Sequence, residues 1–234
     1  EANRVKWAIQ YRIYLNSLIY VVDFSSDGKW IACAAKEAHV VLVDVATGAI
    51  VRTIKDPSGG EANSVSFSPD CQYIAVGYDN PNAVAIYDLA PPSSTLVQEA
   101  PESTEENEML TVYQCTLSPC GRWILVRIGK RKFYIYKISS EDGYTSKTVV
   151  FEKEMAYDFD MNSSFSYDGN MVGISTVKGM HLVKLNLNDE TWPKEPNKVF
   201  GTNYTLAVFG KQSNICLYGC VGDQHVYDLE NDKQ

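Results

Sequence analysis

Hydrophobic and polar residues alternate in short stretches along the chain, and the stretches are separated by turn-forming residues. At Val21–Ala35 (VVDFSSDGKWIACAA), an alternating stretch runs into Ser25–Gly28, and a second apolar stretch follows. Alternation over a few residues predicts a half-buried β-strand. Asp27-Gly28 is a dipeptide that tight hairpin turns favour. The pattern therefore predicts a β-hairpin.

The hairpin pattern occurs five times in the chain. The other copies are VSFSPDCQYIAVG from Val65, CTLSPCGRWILVR from Cys115, SSFSYDGNMVGIS from Ser163 and a degenerate LAVFGKQSNICLYG from Leu206. The apolar residues aligned before the turns are Phe24, Phe67, Leu117, Phe165 and Val208, at steps of 43, 50, 48 and 43 residues. A third strand follows each hairpin, and a fourth follows most of them. Four short antiparallel strands per ~40–45 residues are typical of a β-propeller blade. We predict an all-β propeller of four-stranded antiparallel blades, with about five recognisable blades.

The third strand of each copy ends in a dipeptide that points to a known family. These dipeptides are Val43-Asp44, Tyr87-Asp88, Tyr136-Lys137, Val183-Lys184 and Tyr227-Asp228. They stand where WD repeats carry Trp-Asp, and the segment VLVDVATG (Val41–Gly48) matches best. Over essentially its whole length, the chain resembles a divergent member of the WD-repeat family. Three copies keep the Asp, none keeps the Trp, and the usual opening Gly-His is absent. The resemblance implies a propeller, most often of seven blades.

We predict one domain, 1–234. Its blade repeats lie at roughly 16–56, 61–100, 110–153, 156–200 and 201–234. Residues 91–109 are predicted to form an acidic loop between blades. Residues 1–15 alternate from Val5 to Leu15, and they are predicted to form a ring-closing strand as in relatives of the family. Three arrangements stay open: closure as five blades, completion by blades of a partner, or a chain that is a piece of a longer protein.

Composition narrows the function classes. The 15 Tyr, 8 Phe and 4 Trp suit β-strands. A net charge of −8 argues against direct nucleic-acid binding, which needs clustered Lys and Arg. No apolar run reaches the ~18 residues of a membrane span, so no membrane insertion is predicted. The six cysteines are interpreted as reduced thiols of an intracellular protein, cytoplasmic or nuclear. We find no phosphate-loop, nucleophile-elbow or zinc motif and predict no cofactor, metal or catalytic residue.

Candidate partner-binding residues are of two kinds. The aromatic candidates near predicted loops are Tyr78, Tyr144, Trp192 and Tyr204. For Trp192, which precedes Pro193 and Pro196, the alternative is packing over a blade edge. The basic candidates are Arg127, Lys130, Arg131 and Lys132, at a turn of the third repeat. Their alternative is a turn that only promotes solubility.

Ser103 and Thr104 are candidate phosphorylation sites because they lie within the acidic loop 91–109. The alternative is a loop that is simply solvated. Only the composition of this segment supports modification.

The predicted function is a non-catalytic scaffold or adaptor that binds one or more proteins or peptides, as a subunit of a larger complex. One alternative is an enzyme with its site in the central channel. Asp23, Asp158 and Asp160 are the only acids near the predicted innermost strands, which makes a poor catalytic set. The other alternative is a regulatory or sensor domain of a larger protein.

Overall fold

The computed structural model describes residues 9–37, 39–55, 59–79, 83–90, 95–99, 111–129, 131–139, 141, 144, 147–154, 163–176, 179–186, 190–193, 195–200, 206–209, 215–220 and 223–228. Within these residues the regular secondary structure is entirely β. Nineteen strands form five antiparallel sheets, and in each sheet the strands lie side by side in chain order. The predicted all-β class and the antiparallel sheets are confirmed.

The sheets follow one another along the chain. Sheet 1 contains β1 (Ile19–Phe24), β2 (Trp30–Ala35), β3 (His39–Asp44) and β4 (Ile50–Lys55). Sheet 2 contains β5 (Ala62–Phe67), β6 (Tyr73–Tyr78), β7 (Ala83–Asp88) and β8 (Thr95–Glu99). Sheet 3 contains β9 (Val112–Leu117), β10 (Trp123–Ile128), β11 (Lys132–Ile138) and β12 (Lys147–Glu154). Sheet 4 contains β13 (Ser163–Phe165), β14 (Met171–Thr176), β15 (Gly179–Lys184) and β16 (Lys198–Phe200). Sheet 5 contains β17 (Leu206–Phe209), β18 (Ile215–Cys220) and β19 (Asp223–Asp228).

The turn after each first strand explains why the Ser-x-Asp-Gly pattern repeats. In sheet 1, Ser25 Oγ donates to Asp27 Oδ1 at 2.7 Å and accepts the Trp30 N–H at 2.9 Å. Asp27 Oδ1 also accepts the Lys29 N–H at 3.0 Å. Gly28, with φ of 71°, donates its N–H to the Ser25 carbonyl at 2.9 Å. In the corresponding turns of sheets 2, 3 and 4, the hydroxyls of Ser68, Ser118 and Ser166 likewise accept the N–H five residues later.

Two of these turns depart from the pattern through a cysteine. Cys71 occupies the glycine position of the second turn and has φ of 59°. Cys120 occupies the aspartate position of the third turn, and its Sγ lies 3.3 Å from Ser118 Oγ. A side chain in the left-handed region costs about 1–2 kcal/mol, because Cβ approaches the following carbonyl oxygen. The second turn therefore carries backbone strain that the others avoid with glycine.

We expect Cys71→Gly to raise the free energy of unfolding by about 0.5–1 kcal/mol, because the relief of strain exceeds the entropic cost of glycine. Gly28→Ala is the opposite test: its φ is +71° and no atom lies within 4 Å of the added Cβ, so strain alone should destabilise it. Urea unfolding of both variants measures the effect. A destabilised Cys71→Gly variant would contradict the prediction, showing that the 3.0 Å contact between Ser26 Oγ and Cys71 Sγ outweighs the strain.

The sheets pack face to face, each against the next in the chain. Between sheets 1 and 2, Leu42 and Ile74 belong to one buried cluster. Tyr134 belongs to the cluster between sheets 2 and 3, and Trp123 to that between sheets 3 and 4. Phe209 joins sheet 5 to sheet 4. The first strands β1, β5 and β9 contact one another in succession, as do β13 and β17, so these inner strands surround a common axis.

Side chains of one inner strand hydrogen-bond to the backbone of the next. Ser64 Oγ accepts the Cys115 N–H at 3.0 Å and donates to the Cys115 carbonyl at 3.1 Å. Gln114 repeats this with Ser163: Oε1 accepts the N–H at 3.0 Å, and Nε2 donates to the carbonyl at 2.6 Å. The exposed edge of an inner strand has unpaired backbone groups. These side chains satisfy them and hold neighbouring sheets in register.

The prediction of a ring-closing strand over 1–15 is wrong for the part that the structure describes. Residues 9–15 form no strand, and they contact sheet 1. The Tyr11 hydroxyl donates to the Ala46 carbonyl, and Leu15 packs with Cys33 and Val41. These contacts, rather than pairing with sheet 5, fix the segment. Residues 1–8 lie outside the described residues.

The predicted acidic loop 91–109 begins too early. Thr95–Glu99 is strand β8, which pairs with β7 from Ala83↔Glu99 to Tyr87↔Thr95. The sequence of β8, TLVQE, contains β-branched and apolar residues, which suit the outer strand of sheet 2. The rest of the predicted loop lies outside the described residues.

Candidate functional site

The inner strands end around one cavity. It has a volume of about 500 Å³ and receives residues from all five sheets. The lining residues are Asp23, Phe24, Ser26, Phe67, Ser68, Pro69, Ser118, Pro119, Phe165, Tyr167 and Phe209. We call this cavity the channel mouth. Because every sheet places the end of its inner strand here, residues tens of positions apart in sequence become neighbours.

Aromatic rings dominate the channel mouth. Phe67, Phe165 and Phe209 are buried and form part of its wall. Phe24 and Tyr167 are 53% and 56% exposed, so they offer apolar surface to the solvent. A concave, mostly apolar site with a few polar groups is the usual form of a ligand or peptide pocket.

The structure corrects the alignment of the fifth repeat. In every sheet, the last residue of the inner strand pairs with the residue seven positions later, as in Phe24↔Ile31. In sheet 5 this pair is Phe209↔Cys216, whereas the predicted Val208 pairs with Leu217. A shift of one residue sends a side chain to the other face of a strand. Phe209, not Val208, is therefore the equivalent of Phe24.

Asp23 supports the channel mouth from within. Its Oδ1 accepts the Phe24 N–H at 2.9 Å, and its Oδ2 accepts the Phe67 N–H at 2.8 Å. One carboxylate thus accepts backbone N–H groups from two neighbouring sheets. Ser66 plays the equivalent part in sheet 2, where its Oγ accepts the Leu117 N–H at 3.1 Å.

The turns around the channel mouth carry ionised carboxylates. The hydrogen bond from Ser25 is the largest cause of the lowered pKa of Asp27. Burial raises the pKa of Asp168, but the hydrogen bonds from Ser166 and Asn170 together outweigh it, so the pKa is lowered. Lys29 Nζ lies 3.0 Å from Asp27 Oδ2. The turns at the edge of the channel mouth are thus negatively charged, and Lys29 neutralises part of this charge.

Neither a metal site nor a membrane span emerges from the described residues. None of their His, Cys, Asp and Glu side chains form a group of three or more that could hold a metal ion. The described part of the chain also has no helix long and apolar enough to cross a membrane.

Comparisons with known proteins agree with this architecture. The family model for the WD domain, G-beta repeat, matches residues 48–81, which run from the end of the β3–β4 turn to just beyond β6. The solved β-propeller domain of Cps50 (Swd1) from Myceliophteria thermophila is similar with a TM-score of 0.67, at 12% identity, over 92% of this chain and 71% of that chain. This chain has a β-propeller fold, and residues 48–81 match a WD repeat. No curated protein matches its sequence. WD-repeat propellers typically act as scaffolds for protein interactions.

The residues that stand at the Trp-Asp positions of WD repeats lie at equivalent places in sheets 1 and 2, although their identities diverge. Asp44 pairs with Trp30 and Asp88 pairs with Tyr73, each at the end of the third strand of its sheet. Asp44 Oδ1 accepts both the N–H and the hydroxyl of Thr47 at 2.7 Å. The aspartate therefore closes the turn to the fourth strand of its own blade.

Three of the aromatic candidates do not lie at the surface of the propeller. Tyr78 is buried, and its hydroxyl lies 2.9 Å from that of Tyr87. Tyr144 is buried edge-to-face against Tyr73. Trp192 is buried as well, which agrees with the alternative of packing over a blade edge. Burial corrects the expectation that these rings would be exposed anchors. Tyr204 lies outside the described residues.

The described basic candidates, Arg127, Arg131 and Lys132, do not form one patch. Arg127 pairs with Phe133 across the hairpin and Lys132 pairs with Ile128, so their side chains alternate between faces of the sheet. The Arg127 guanidinium lies 5.3 Å from the centre of the Tyr113 ring, and burial lowers its pKa. Arg131 contacts Glu154 at 3.7 Å. The Arg127 side chain therefore packs on Tyr113 and does not join the basic side chains of the turn.

Three further candidates, Lys130, Ser103 and Thr104, lie outside the described residues.

The residues of the channel mouth were missed as a site by sequence analysis. Phe24 and Phe67 were noted only as markers of the repeat, and Tyr167 was part of a turn pattern. The signal was available in the repeat itself. Residues at equivalent positions of successive blades converge on the axis, so an aromatic residue recurring at the end of the inner strand indicates an aromatic mouth.

Proposed function

We propose that this propeller is a non-catalytic protein-interaction scaffold that binds a peptide segment of a partner protein at the channel mouth. The observation that carries the proposal is the cavity of about 500 Å³ with aromatic residues from four of the five blades. Exposed aromatic rings around a concavity are frequent energetic centres of protein interfaces. The scaffold would serve as one subunit of a larger complex.

The chemistry of the channel mouth favours a particular kind of segment. Phe24 and Tyr167 offer apolar contact, so the segment would insert an apolar or aromatic side chain between them. Asp27, Asp70 and Asp168 lie in the surrounding turns, and the whole chain has a net charge of −8. Lys or Arg residues flanking the inserted side chain would complement this charge and accelerate association.

The hydrogen bonds of the acidic side chains support a non-catalytic function, and the free cysteines support an intracellular location. The acids around the channel mouth are engaged in hydrogen bonds within the turns and the inner strands, as Asp23 is with Phe24 and Phe67. Asp23 lines the cavity, but each of its carboxylate oxygens already accepts a backbone N–H, which makes it a poor general base. We further propose an intracellular location, cytoplasmic or nuclear. Cys33, Cys71, Cys115 and Cys120 are free thiols.

We expect Tyr167→Ala to weaken binding of a selected peptide at least tenfold, because the ring supplies exposed apolar surface at the channel mouth. The peptide is selected from a displayed random library on the purified chain, and its Kd is measured by fluorescence anisotropy. Tyr113→Ala is the matched control. Tyr113 is 43% exposed but stands near the opposite end of its inner strand, away from the mouth.

The proposal is wrong if Tyr113→Ala and Tyr167→Ala weaken binding equally, or if no peptide is selected. Turnover of a substrate that requires Asp23 would instead support the enzyme alternative.

A further inference from the structure

A second cavity lies between sheets 1 and 2, towards their outer strands. Its volume is about 450 Å³, which falls within the range of ligand pockets. Sheet 1 contributes Trp30, Leu42, Val51 and Arg52 to its walls, and sheet 2 contributes Leu89, which directly follows β7. We call this cavity the side pocket. It shares no described lining residue with the channel mouth, so it is a separate site.

The walls of the side pocket are largely apolar. Leu42 is buried in the cluster between sheets 1 and 2, and Trp30 and Leu89 are partly buried against that cluster. Val51 lies on β4 and is 48% exposed. The side pocket therefore has an apolar floor and reaches the solvent at the outer strand of sheet 1.

The equivalent positions of sheet 3 are occupied by closely packed aromatic rings. Trp30 and Trp123 are equivalent because each begins the second strand of its sheet, but Trp123 is fully buried and Trp30 is not. Arg52 and Phe151 are equivalent because each pairs with the residue just before the Trp-Asp position of the third strand. The ring of Phe151 is buried in the cluster between sheets 3 and 4. Sheets 1 and 2 thus have a cation and a cavity where sheets 3 and 4 have a packed ring.

Arg52 gives the side pocket a positive charge. Its Nη1 donates to the carbonyls of Asp88 and Leu89 at 3.4 and 3.3 Å, distances that are long for N–H···O bonds. The Asp88 carboxylate does not pair with it, and instead accepts the Ala90 N–H at 2.7 Å. Among the described lining residues, Arg52 alone has a charged side chain. Its planar guanidinium carries five N–H donors and binds a carboxylate through two parallel hydrogen bonds, which are stronger than bonds to neutral carbonyls.

We propose that the side pocket binds an acidic segment of a partner protein, in which a large apolar side chain lies next to an Asp or Glu. The apolar side chain would pack between Trp30 and Leu89, on the floor formed by Leu42. The carboxylate would pair with Arg52 at the rim. The site therefore selects for charge and for an apolar side chain together.

A protein segment suits the side pocket better than a free small molecule. Pockets for small molecules bury most of the surface of their ligand. Here Val51, Gln72 and Ala90 are exposed at the rim, so a ligand that reaches the floor keeps one side in the solvent. One side chain of a longer chain can occupy such a cavity while its backbone continues across the rim.

The charge of this segment is opposite to that of the segment proposed for the channel mouth. The net charge of −8 on the whole chain opposes an acidic ligand. Exposed charges more than about 8 Å apart are largely screened at physiological ionic strength, however. The close pair with Arg52 therefore has more influence on binding than the distant acids.

The test begins with a displayed library of short random peptides, which is panned on the full chain and counter-selected on its Val51→Glu variant. The introduced carboxylate would stand beside Arg52 and compete with an acidic peptide, so this variant should not retain peptides that need the side pocket. We expect the surviving peptides to combine Asp or Glu with Leu, Met, Phe or Trp. Val51→Glu should weaken their binding at least about tenfold. Ile50→Glu is the matched control, because Ile50 is 49% exposed on the same strand and does not line the side pocket, and it should leave Kd unchanged.

Arg52→Gln tests the charge pair itself, because glutamine keeps an N–H donor for the carbonyls of Asp88 and Leu89. Kd is measured by fluorescence anisotropy for a selected peptide and for the same peptide with its acid changed to the amide. The amide peptide should bind the wild-type chain at least about tenfold more weakly than the acid, whereas Arg52→Gln should bind the two almost equally. A purely structural role of Arg52 would weaken the two peptides by the same factor.

The proposal is overturned if no peptide survives counter-selection, if the survivors lack Asp and Glu, or if Arg52→Gln weakens the acid and amide peptides equally. It is also overturned if Ile50→Glu is as damaging as Val51→Glu. None of these measurements needs a peptide for the channel mouth, and a peptide selected there should not displace the one in the side pocket. Failure of one site is therefore distinguishable from failure of the other.

Discussion

Trp192→Ala is expected to lower the free energy of unfolding by about 3–5 kcal/mol, the usual cost of removing a buried Trp or Phe ring. The side chain is 4% exposed. Its ring stands edge-to-face on Trp123, with 5.8 Å between centroids, and 6.3 Å from the centroid of Phe165. Alanine would leave a cavity between sheets 3 and 4. Urea unfolding followed by circular dichroism measures the loss.

Trp192→Phe is the matched variant. It keeps an aromatic ring and removes an indole N–H that has no hydrogen-bond acceptor among the described residues, so it should cost clearly less than alanine. If Trp192→Ala kept full stability and lost only a binding partner, the residue would be a surface anchor after all. Tyr167→Ala, which removes a ring that is 56% exposed, should change stability little.

The burial of Trp192 shows which part of the fold the sequence leaves open. Its position after β15 and next to proline correctly predicts a connecting segment. The sequence does not indicate which sheet the segment folds against. Glu190 contacts Lys137 on β11 at 2.8 Å and Arg122, which directly precedes β10, at 3.2 Å. These two contacts hold the segment against sheet 3. Such contacts join residues more than 50 positions apart, and no local pattern encodes them.

The hairpins, in contrast, were predictable because their determinants are local. The hydroxyl of Ser25, the carboxylate of Asp27 and the φ of Gly28 lie within four residues and close the turn by themselves. Where these residues are missing, the predicted end of the inner strand is wrong by one residue. The fifth repeat has Gly-Lys-Gln-Ser in place of the turn pattern, and its inner-strand end was assigned to Val208 instead of Phe209.

The channel mouth was only partly predictable for a different reason. Each lining residue, such as Phe24 or Tyr167, looks like ordinary core or turn in its own repeat. Only the arrangement of inner strands around an axis brings them together. The exposure of Val22 and Phe24 depends in turn on what packs against sheet 1. Identical patterns in sheets 1 and 2 therefore give an exposed face in one and a buried face in the other.

Gly77→Ala is expected to lower the free energy of unfolding by about 1–3 kcal/mol, through overpacking between sheets 2 and 3. Gly77 lies on β6, and a Cβ there would stand 2.6 Å from Cγ1 of Val112 on β9. The valine is fully buried and has a stiff, branched side chain, so it cannot turn aside cheaply. The equivalent residue of sheet 1, Ala34, carries this methyl group, and it belongs to a buried cluster with Ala62, the smaller equivalent of Val112.

Val112→Ala provides the control, because it removes the atoms that the new Cβ would meet. Alone it should destabilise the protein by leaving a cavity. Combined with Gly77→Ala, it should give a loss at least about 1 kcal/mol smaller than the sum of the two single losses. Additive losses in urea unfolding would mean that the methyl group is accommodated by movement of the sheets rather than opposed by Val112. The spacing between sheets 2 and 3 would then not be set by this contact.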